Sequence, residues 1–444
     1  MPSVSKTEAA AIACFAALSA FGLQFHAYAM DEYTYMNAAE AFHTGAPDMI
    51  LAGETSRSPY FPLALSLAYP WLGGTETGGK ILNIFFAGIG ILAVYFFARE
   101  LFGRDAAGWS ALLLATNPLN AFLFSRILSE SMFITLLILC AYLAHKAAKD
   151  PRYMAPLGLA TGLLIMTRYI GLYMLPVIIA YFWRAGRLGA LFSKWAAAGV
   201  AAFALSFLPF VFLSAFFKKG LTDFITEFFR AAFFVKQGAQ GWPDRIPSYL
   251  LALPLLLGFA LPALAAGAKD AFARRRESAY FATAFPAAFI AITMEIYGLF
   301  NSPLLRYISV VVPLLCIAAA SAISPGRKIF GLDLRTVAWA AVGLNLLASF
   351  AGIYAVDSLY LKHAEYREAG LYAAKECKGM VFSNFPAAMN HYLRQPTSYA
   401  ASEYGGGQAC VAVSGYDAWN LPQPESAGYR LAKTAGNIKI YKLS

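Results

Sequence analysis

Apolar blocks close to bilayer length recur along almost the whole of this chain, and no other feature limits its architecture as strongly. A hydrocarbon core about 30 Å thick takes about 20 residues of helix, so each block is read as a span. The blocks lie at roughly 8–29, 80–98, 106–121, 130–145, 154–167, 169–183, 195–216, 248–267, 279–297, 306–323 and 336–356. About eleven spans are therefore expected, the fifth short enough to be tilted or broken. Ala27-Tyr28-Ala29 has the look of a leader cleavage site. The run before it is long enough to span and further spans follow, so it is read as retained. Composition agrees: 59% of the 444 residues are apolar, 14% are charged, and the mean hydropathy is +0.55. A soluble chain of this length carries far more polar surface.

The net charge of +10 is a topology signal rather than a nucleic-acid footprint, because the cations sit in short loops between spans. Arg99 and Arg104; Lys146, Lys149 and Arg152; Arg184, Arg187 and Lys194; Lys269 and Arg274 to Arg276; and Arg327, Lys328 and Arg335 occupy alternate loops. The positive-inside rule makes those loops cytoplasmic. The opposite loops, 30–79, 122–129, 217–247 and the tail from Asp357, then face outward. The cations of 217–247 count for little in so long a loop. The reading is a multi-pass cell-membrane protein with a cytoplasmic N-terminus.

Two outer segments have the pattern of helices lying on the membrane. In 221–233 the apolar positions Leu221, Phe224, Ile225, Phe228, Phe229 and Ala232 recur at helical spacing, and Glu32 to His43 is a weaker case. The chain divides into a membrane domain, 1–356, and a small tail, 357–444. Short apolar runs punctuated by Gly, Pro and Asn make that tail a small α/β or mainly β unit. Cys377 and Cys410 lie in it and can pair if it is extracytoplasmic; Cys14, Cys140 and Cys316 are span residues. No Cys and His spacing resembles a zinc site, and the five histidines form no cluster.

Ionisable groups near a bilayer are costly, so their sidedness is informative. The outer edge carries Asp31, Glu32, Glu54, Arg57, Lys80, Ser129, Glu130, Arg168, Arg306 and Tyr307, drawn from distant parts of the chain. Such a set suits a reaction in which an acid activates a hydroxyl and cations hold an anionic leaving group.

Ordered motifs accompany these residues. Asp31-Glu32 opens the first outer loop, followed by Tyr33 and Tyr35. Arg57-Ser58-Pro59-Tyr60-Phe61-Pro62 precedes Trp71-Leu72-Gly73-Gly74. Arg99-Glu100-Leu101-Phe102-Gly103-Arg104 and Asn117-Pro118 come next, then Ser125 to Glu130, then Arg306-Tyr307 with Pro313. The set resembles the GT-C membrane glycosyltransferases, in particular the protein O-mannosyltransferase and lipid A aminoarabinose transferase group. The resemblance covers about the first 320 residues, and the tail matches only in position and size.

That resemblance implies an all-α polytopic GT-C-like membrane domain with a small extracytoplasmic α/β tail. It implies an enzyme that takes a sugar from a polyprenyl-phosphate donor to a protein, lipid or glycan acceptor on the outer face. By it, Asp31 is the base of a single inverting displacement, and Glu32 orients the acceptor or tunes Asp31. Glu130 stands where the family has its second acid. Arg306 is the best match for lipid-phosphate binding, with Tyr307 beside it and Lys80 and Arg57 as helpers. No cofactor is required by the motifs, and a divalent metal stays open. Ser58 stands where the family often has His, which leaves the sugar and acceptor open as well.

Plainer roles exist for each residue. Asp31 can cap a surface helix, Glu130 can pair with Arg126 one turn earlier, and Arg306 can anchor the interface beside Tyr307. Two other functions compete with transfer. A transporter or flippase would show inverted repeats and midplane ionisable groups, and neither is visible. An O-antigen ligase or polymerase, of another fold, would put its cations in late outer loops such as 217–247.

Overall fold

The computed structural model describes residues 4–25, 30–45, 58–216, 258–274, 278–296, 309–323, 325–329, 331–356, 363–377, 381–383, 385–393, 398–399, 410–414 and 429–443, with single residues 220, 222, 226 and 424. The expected surface helix at 221–233, apart from residues 222 and 226, and Arg57, Arg306 and Tyr307 lie outside the described residues.

Apolar helices dominate the first 356 residues. They are α1 (Lys6–Gly22), α2 (Met30–Thr44), α3 (Tyr60–Ala68), α4 (Thr75–Phe102), α5 (Arg104–Thr116), α6 (Pro118–Phe124), α7 (Glu130–Lys149), α8 (Met154–Thr167), α9 (Met174–Arg184), α10 (Lys194–Leu205), α11 (Leu208–Phe216), α12 (Leu261–Ala273), α13 (Ser278–Ile296), α14 (Val312–Ala322) and α15 (Leu334–Ala355). The α4, α7 and α15 helices are long and apolar enough to cross a membrane by themselves. Several blocks expected as single spans are divided instead. The block at 106–121 breaks into α5 and α6 because Pro118 cannot continue a helix and Asn117 caps the next one, its side chain accepting from the Asn120 amide at 3.0 Å. The block at 195–216 divides into α10 and α11 at 206–207, where Pro209, the second residue of α11, has no N–H to continue the ladder to Leu205.

The quoted motifs become joints. Gly73 and Gly74 take φ of +88° and +100°, which turns the chain tightly into α4. Gly103 at φ +89° closes α4 and opens α5, so the Arg99 to Arg104 motif is a helix–helix corner. Elsewhere small residues let backbones approach. A Cβ at Gly158 of α8 would overlap the Gly199 carbonyl of α10, and one at Gly162 would overlap the Ser206 hydroxyl. That one-turn spacing of small residues is a common way to pack helices in lipid, where no hydrophobic drive exists between them.

The tail is a mixed sheet with two helices, α16 (His363–Glu376) and α17 (Pro386–Leu393). Its strands are β3 (Val381–Ser383), β4 (Ser398–Tyr399), β5 (Cys410–Ser414), β6 (Tyr429–Ala435) and β7 (Ile438–Leu443), after a short hairpin β1 (Lys328–Ile329) and β2 (Leu332–Asp333) in the membrane domain. The order is β4-β3-β5-β7-β6, with β3 parallel to β4 and β5, and β7 antiparallel to β5 and β6. Val381, Cys410, Ala412, Ile438 and Ile440 alternate inward to make its core. A disulfide joins Cys377, after α16, to Cys410 at the start of β5. The tail docks on the membrane domain through α17, which packs against α2.

Candidate active site

Two helix N-termini frame the candidate site. Asp31 and Glu32 lie in the first turn of α2, and Glu130 is the first residue of α7. Carboxylates are stabilised there by the unsatisfied amides and the helix dipole. Asp31 is inside the first turn of a helix that begins at Met30, two positions beyond the cap foreseen for it.

Adjacent residues on a helix point about 100° apart, so Asp31 and Glu32 have different surroundings. Asp31 is half-buried. Glu32 has no exposed surface: its Oε1 accepts from the Ile127 amide at 2.8 Å and its Oε2 from the Arg126 guanidinium. The Arg126 side chain is itself 2% exposed. Glu32 is thus enclosed within the protein, and it pins α2 to the loop before α7.

That loop, 125–129, is fixed from below. Asn83 of α4 donates to the carbonyls of Arg126 and Leu128, the second at 2.9 Å. A Cβ at Gly79 would fall 2.7 Å from the Ile127 side chain, and one at Gly22 would fall 2.8 Å from Ser125 Cβ. Substitution of either glycine forces the loop outward. Lys80, 1% exposed, donates from Nζ to the Gly22 carbonyl at 3.1 Å, in the last turn of α1 where cations are favoured.

A second group surrounds Glu130. Arg168, at the end of α8, approaches its Oε1 at 2.7 Å and donates to the Ser129 hydroxyl at 3.2 Å. The Tyr35 hydroxyl from α2 meets the same Ser129 oxygen at 3.1 Å. Tyr35 packs edge-on against Phe61 of the proline-rich motif, with ring centroids 5.1 Å apart. The motif at 31–35, Phe61 of the proline-rich motif and the motif at 125–130 therefore converge through side chains on one end of the bundle.

Sequence reasoning placed Asp31, Glu32, Lys80 and Glu130 among the functional residues, and the structure gathers them around α2 and the 125–130 loop. The pairing differs from the one foreseen: Arg126 faces Glu32 rather than Glu130, and Arg168 faces Glu130, with Tyr35 and Asn83 as braces. Arg126 was visible inside the Ser125 to Glu130 motif. Asn83 gave no signal, because a single Asn in an apolar helix has no pattern. A third layer comes from the tail. The Tyr33 hydroxyl on α2 is 3.3 Å from that of Tyr392 on α17. Burial first, and the neighbouring phenol second, push Tyr33 above the usual tyrosine range; burial does the same for Tyr392. Both rings keep their protons at neutral pH.

Comparison with known proteins fits this geometry. Residues 56–213 match the family model described as dolichyl-phosphate-mannose-protein mannosyltransferase. No curated protein matches by sequence. Among solved structures, the chain is similar to ArnT from Cupriavidus metallidurans bound to undecaprenyl phosphate, with a TM-score of 0.71 at 15% identity over 99% of this chain and 97% of that one. It is also similar to the oligosaccharyltransferase AglB from Archaeoglobus fulgidus, in complex with an inhibitory peptide and a dolichol-phosphate, with a TM-score of 0.62 at 13% identity over 98% and 74%. Arabinofuranosyltransferase AftD from Mycobacteria gives a TM-score of 0.57 at 12% identity, over 100% of this chain and 40% of that one. The chain has the fold of these proteins and resembles the GT-C superfamily of membrane glycosyltransferases, as its motifs indicated.

Proposed function

We propose that this protein is a membrane glycosyltransferase that moves a sugar from a polyprenyl-phosphate donor to an acceptor hydroxyl on the extracytoplasmic face. The observation that carries the reading is the Asp31 helix turn, locked by the Glu32–Arg126 pair to the loop that leads into Glu130, within a GT-C fold. Lipid-phosphate binding by ArnT and AglB supports a polyprenyl-type donor by analogy.

In the proposed reaction Asp31 removes the proton from the acceptor hydroxyl while that oxygen attacks the anomeric carbon. The bond from the anomeric carbon to the phosphate oxygen breaks, and its electron pair leaves with the polyprenyl phosphate. Configuration inverts in this single displacement. The polyprenyl phosphate departs as an anion without needing a proton, so the second carboxyl of a glycosidase is not needed. Arg306 holds the phosphate, with Tyr307, Lys80 and Arg57 assisting, and guanidinium suits phosphate through its paired donors. Glu32 acts through position, by fixing the direction in which α2 presents Asp31. Glu130, held by Arg168, keeps a second carboxylate at the N-terminus of α7.

The Cys377–Cys410 bridge supports an extracytoplasmic tail, because such bonds persist in oxidising compartments. In the proposed topology the basic loops are inside and the α2 end of the bundle is outside. An O-antigen ligase-type enzyme has another architecture, and the GT-C fold weighs against it.

Purified protein with a polyprenyl-phosphate sugar tests the reading. Wild-type protein transfers the sugar, and Asp31→Asn loses about 100-fold to 10,000-fold in rate while donor binding survives. Full activity in Asp31→Asn would remove it as the base, and no transfer from any polyprenyl-phosphate sugar by wild type would remove the donor class.

A further inference from the structure

The tail reaches the membrane domain through one of its two helices. Its helix α17 leaves the sheet and lies against α2, the helix that carries Asp31. At the centre is Tyr33, two residues beyond Asp31 and 1% exposed. Its ring meets the ring of His391 at 5.6 Å and that of Tyr392, nearly perpendicular, at 5.9 Å. Tyr392 is seated from behind by Gly370 of α16, where an added Cβ would overlap its side chain. From the membrane domain Glu76, in the first turn of α4, reaches both tail residues: His391 Nε2 at 3.3 Å and the Tyr392 hydroxyl at 3.4 Å.

The magnitudes sort these contacts. Hydroxyl bonds of 3.3 to 3.4 Å are long against a usual 2.7 to 2.8 Å and contribute modestly. The buried rings contribute more, since edge-on aromatic packing adds to the area removed from water. The α2 helix takes its orientation from what packs on it: α3 and α4 lie beside it, and its Tyr35 reaches Ser129 and Phe61. Glu32 fixes its inner face to the 125–129 loop. Tyr33 lies one residue on, about 100° around the axis, and the tail holds that second face. Those contacts hold α2 within the membrane domain, and the tail adds a grip on a further face, which narrows the rotation left to the helix.

We propose that the C-terminal domain is a clasp that sets the rotation of α2, through Tyr33 gripped by His391 and Tyr392, and so positions Asp31 for transfer. Tyr392 and His391 are positioning residues and make no contact with donor or acceptor. The inference rests on the transferase reading for its catalytic consequence, but its structural consequence does not.

Hydrogen exchange followed by mass spectrometry on the full-length protein in detergent or nanodisc tests the structural part. Tyr392→Ala raises exchange across residues 32–44 and leaves 131–148 of α7 unchanged. Tyr392→Phe restores protection, because the ring and not the hydroxyl carries the grip. Unchanged exchange in 32–44 for Tyr392→Ala overturns the proposal, whatever the reaction. Where the wild type transfers sugar, Tyr392→Ala lowers kcat by about tenfold to 100-fold, the scale of an ångström-sized misplacement, with the donor KM unmoved. A raised donor KM at unchanged kcat overturns the positioning role, and a wild type without transfer refutes the function while leaving the exchange result to decide the clasp. Should Tyr392→Ala not fold, His391→Ala carries the same two predictions, since its ring faces Tyr33 and its Nε2 meets Glu76.

Discussion

Acid–cation pairs occur at both ends of the helical bundle, and they differ in one respect that matters. At the end read as cytoplasmic, Glu100 meets Lys149 at 3.0 Å, Asp105 meets Arg335 at 2.5 Å and Asp270 meets Arg327 at 2.5 Å. These pairs are wet; the side chains of Arg335 and Asp105 are 36% and 54% exposed. At the α2 end, Arg126 and Glu32 are 2% and 0% exposed, and Glu130 beside Arg168 is 1% exposed. The chemistry is the same and the surroundings are not. A wet pair is close to neutral in stability, whereas a buried charge stripped of its partner is strongly unfavourable. The first set ties helices and marks sidedness. The second commits charge to a buried layer, and stability alone gives little reason to do so, because a well-packed apolar pair can do as well. Such a layer makes sense as the floor of a site.

Substitutions at the two ends separate the buried layer from the wet pairs. The largest effect on stability is expected at the buried pair: Arg126→Ala destabilises by about 3–5 kcal/mol, because Glu32 is left buried and unpaired. Denaturation of the detergent-solubilised protein measures it, and a loss below about 1 kcal/mol would erase the distinction between the ends. Changing Arg126 and Glu32 together to an apolar pair of similar volume should recover much of that loss while transfer stays impaired. Recovery of both would reduce the pair to packing. Next in size is Asn83→Leu, which removes the brace from two buried carbonyls and is expected to cost about 1–3 kcal/mol. Smallest is Asp105→Asn at the wet end, expected within about 1 kcal/mol of wild type with transfer unaffected. A large effect there would mean that the exposed pairs hold the bundle together.

Much of this was legible in the residues. The order of apolar helices follows from the blocks, and the strands β3, β5 and β7 fall on the short apolar runs of the tail. Span lengths were less legible. A hydropathy block does not reveal a cap, and the Asn117 joint divides a run that reads as continuous. The two acids of the first loop were legible as a pair but not as two roles. Which of Asp31 and Glu32 turns inward depends on the phase of α2 against its neighbours, and a helix with Glu, Tyr, Thr and Asn on its buried face gives no apolar stripe to set that phase. The grip of α17 on α2 was invisible for a different reason: Tyr33 and Tyr392 are 359 residues apart, and nothing local at either marks the other.

The account depends on a lipid-linked phosphate arriving at the end of the bundle where Asp31 and the buried carboxylate layer lie. A cryo-EM map of the full chain with bound undecaprenyl phosphate tests this most directly. The account predicts phosphate density at that end, touched by Arg306 or Lys80, in a cavity that opens onto Asp31. Phosphate held at the end of the Arg335–Asp105 pair, or Asp31 walled off from the lipid by packed helices, would contradict it.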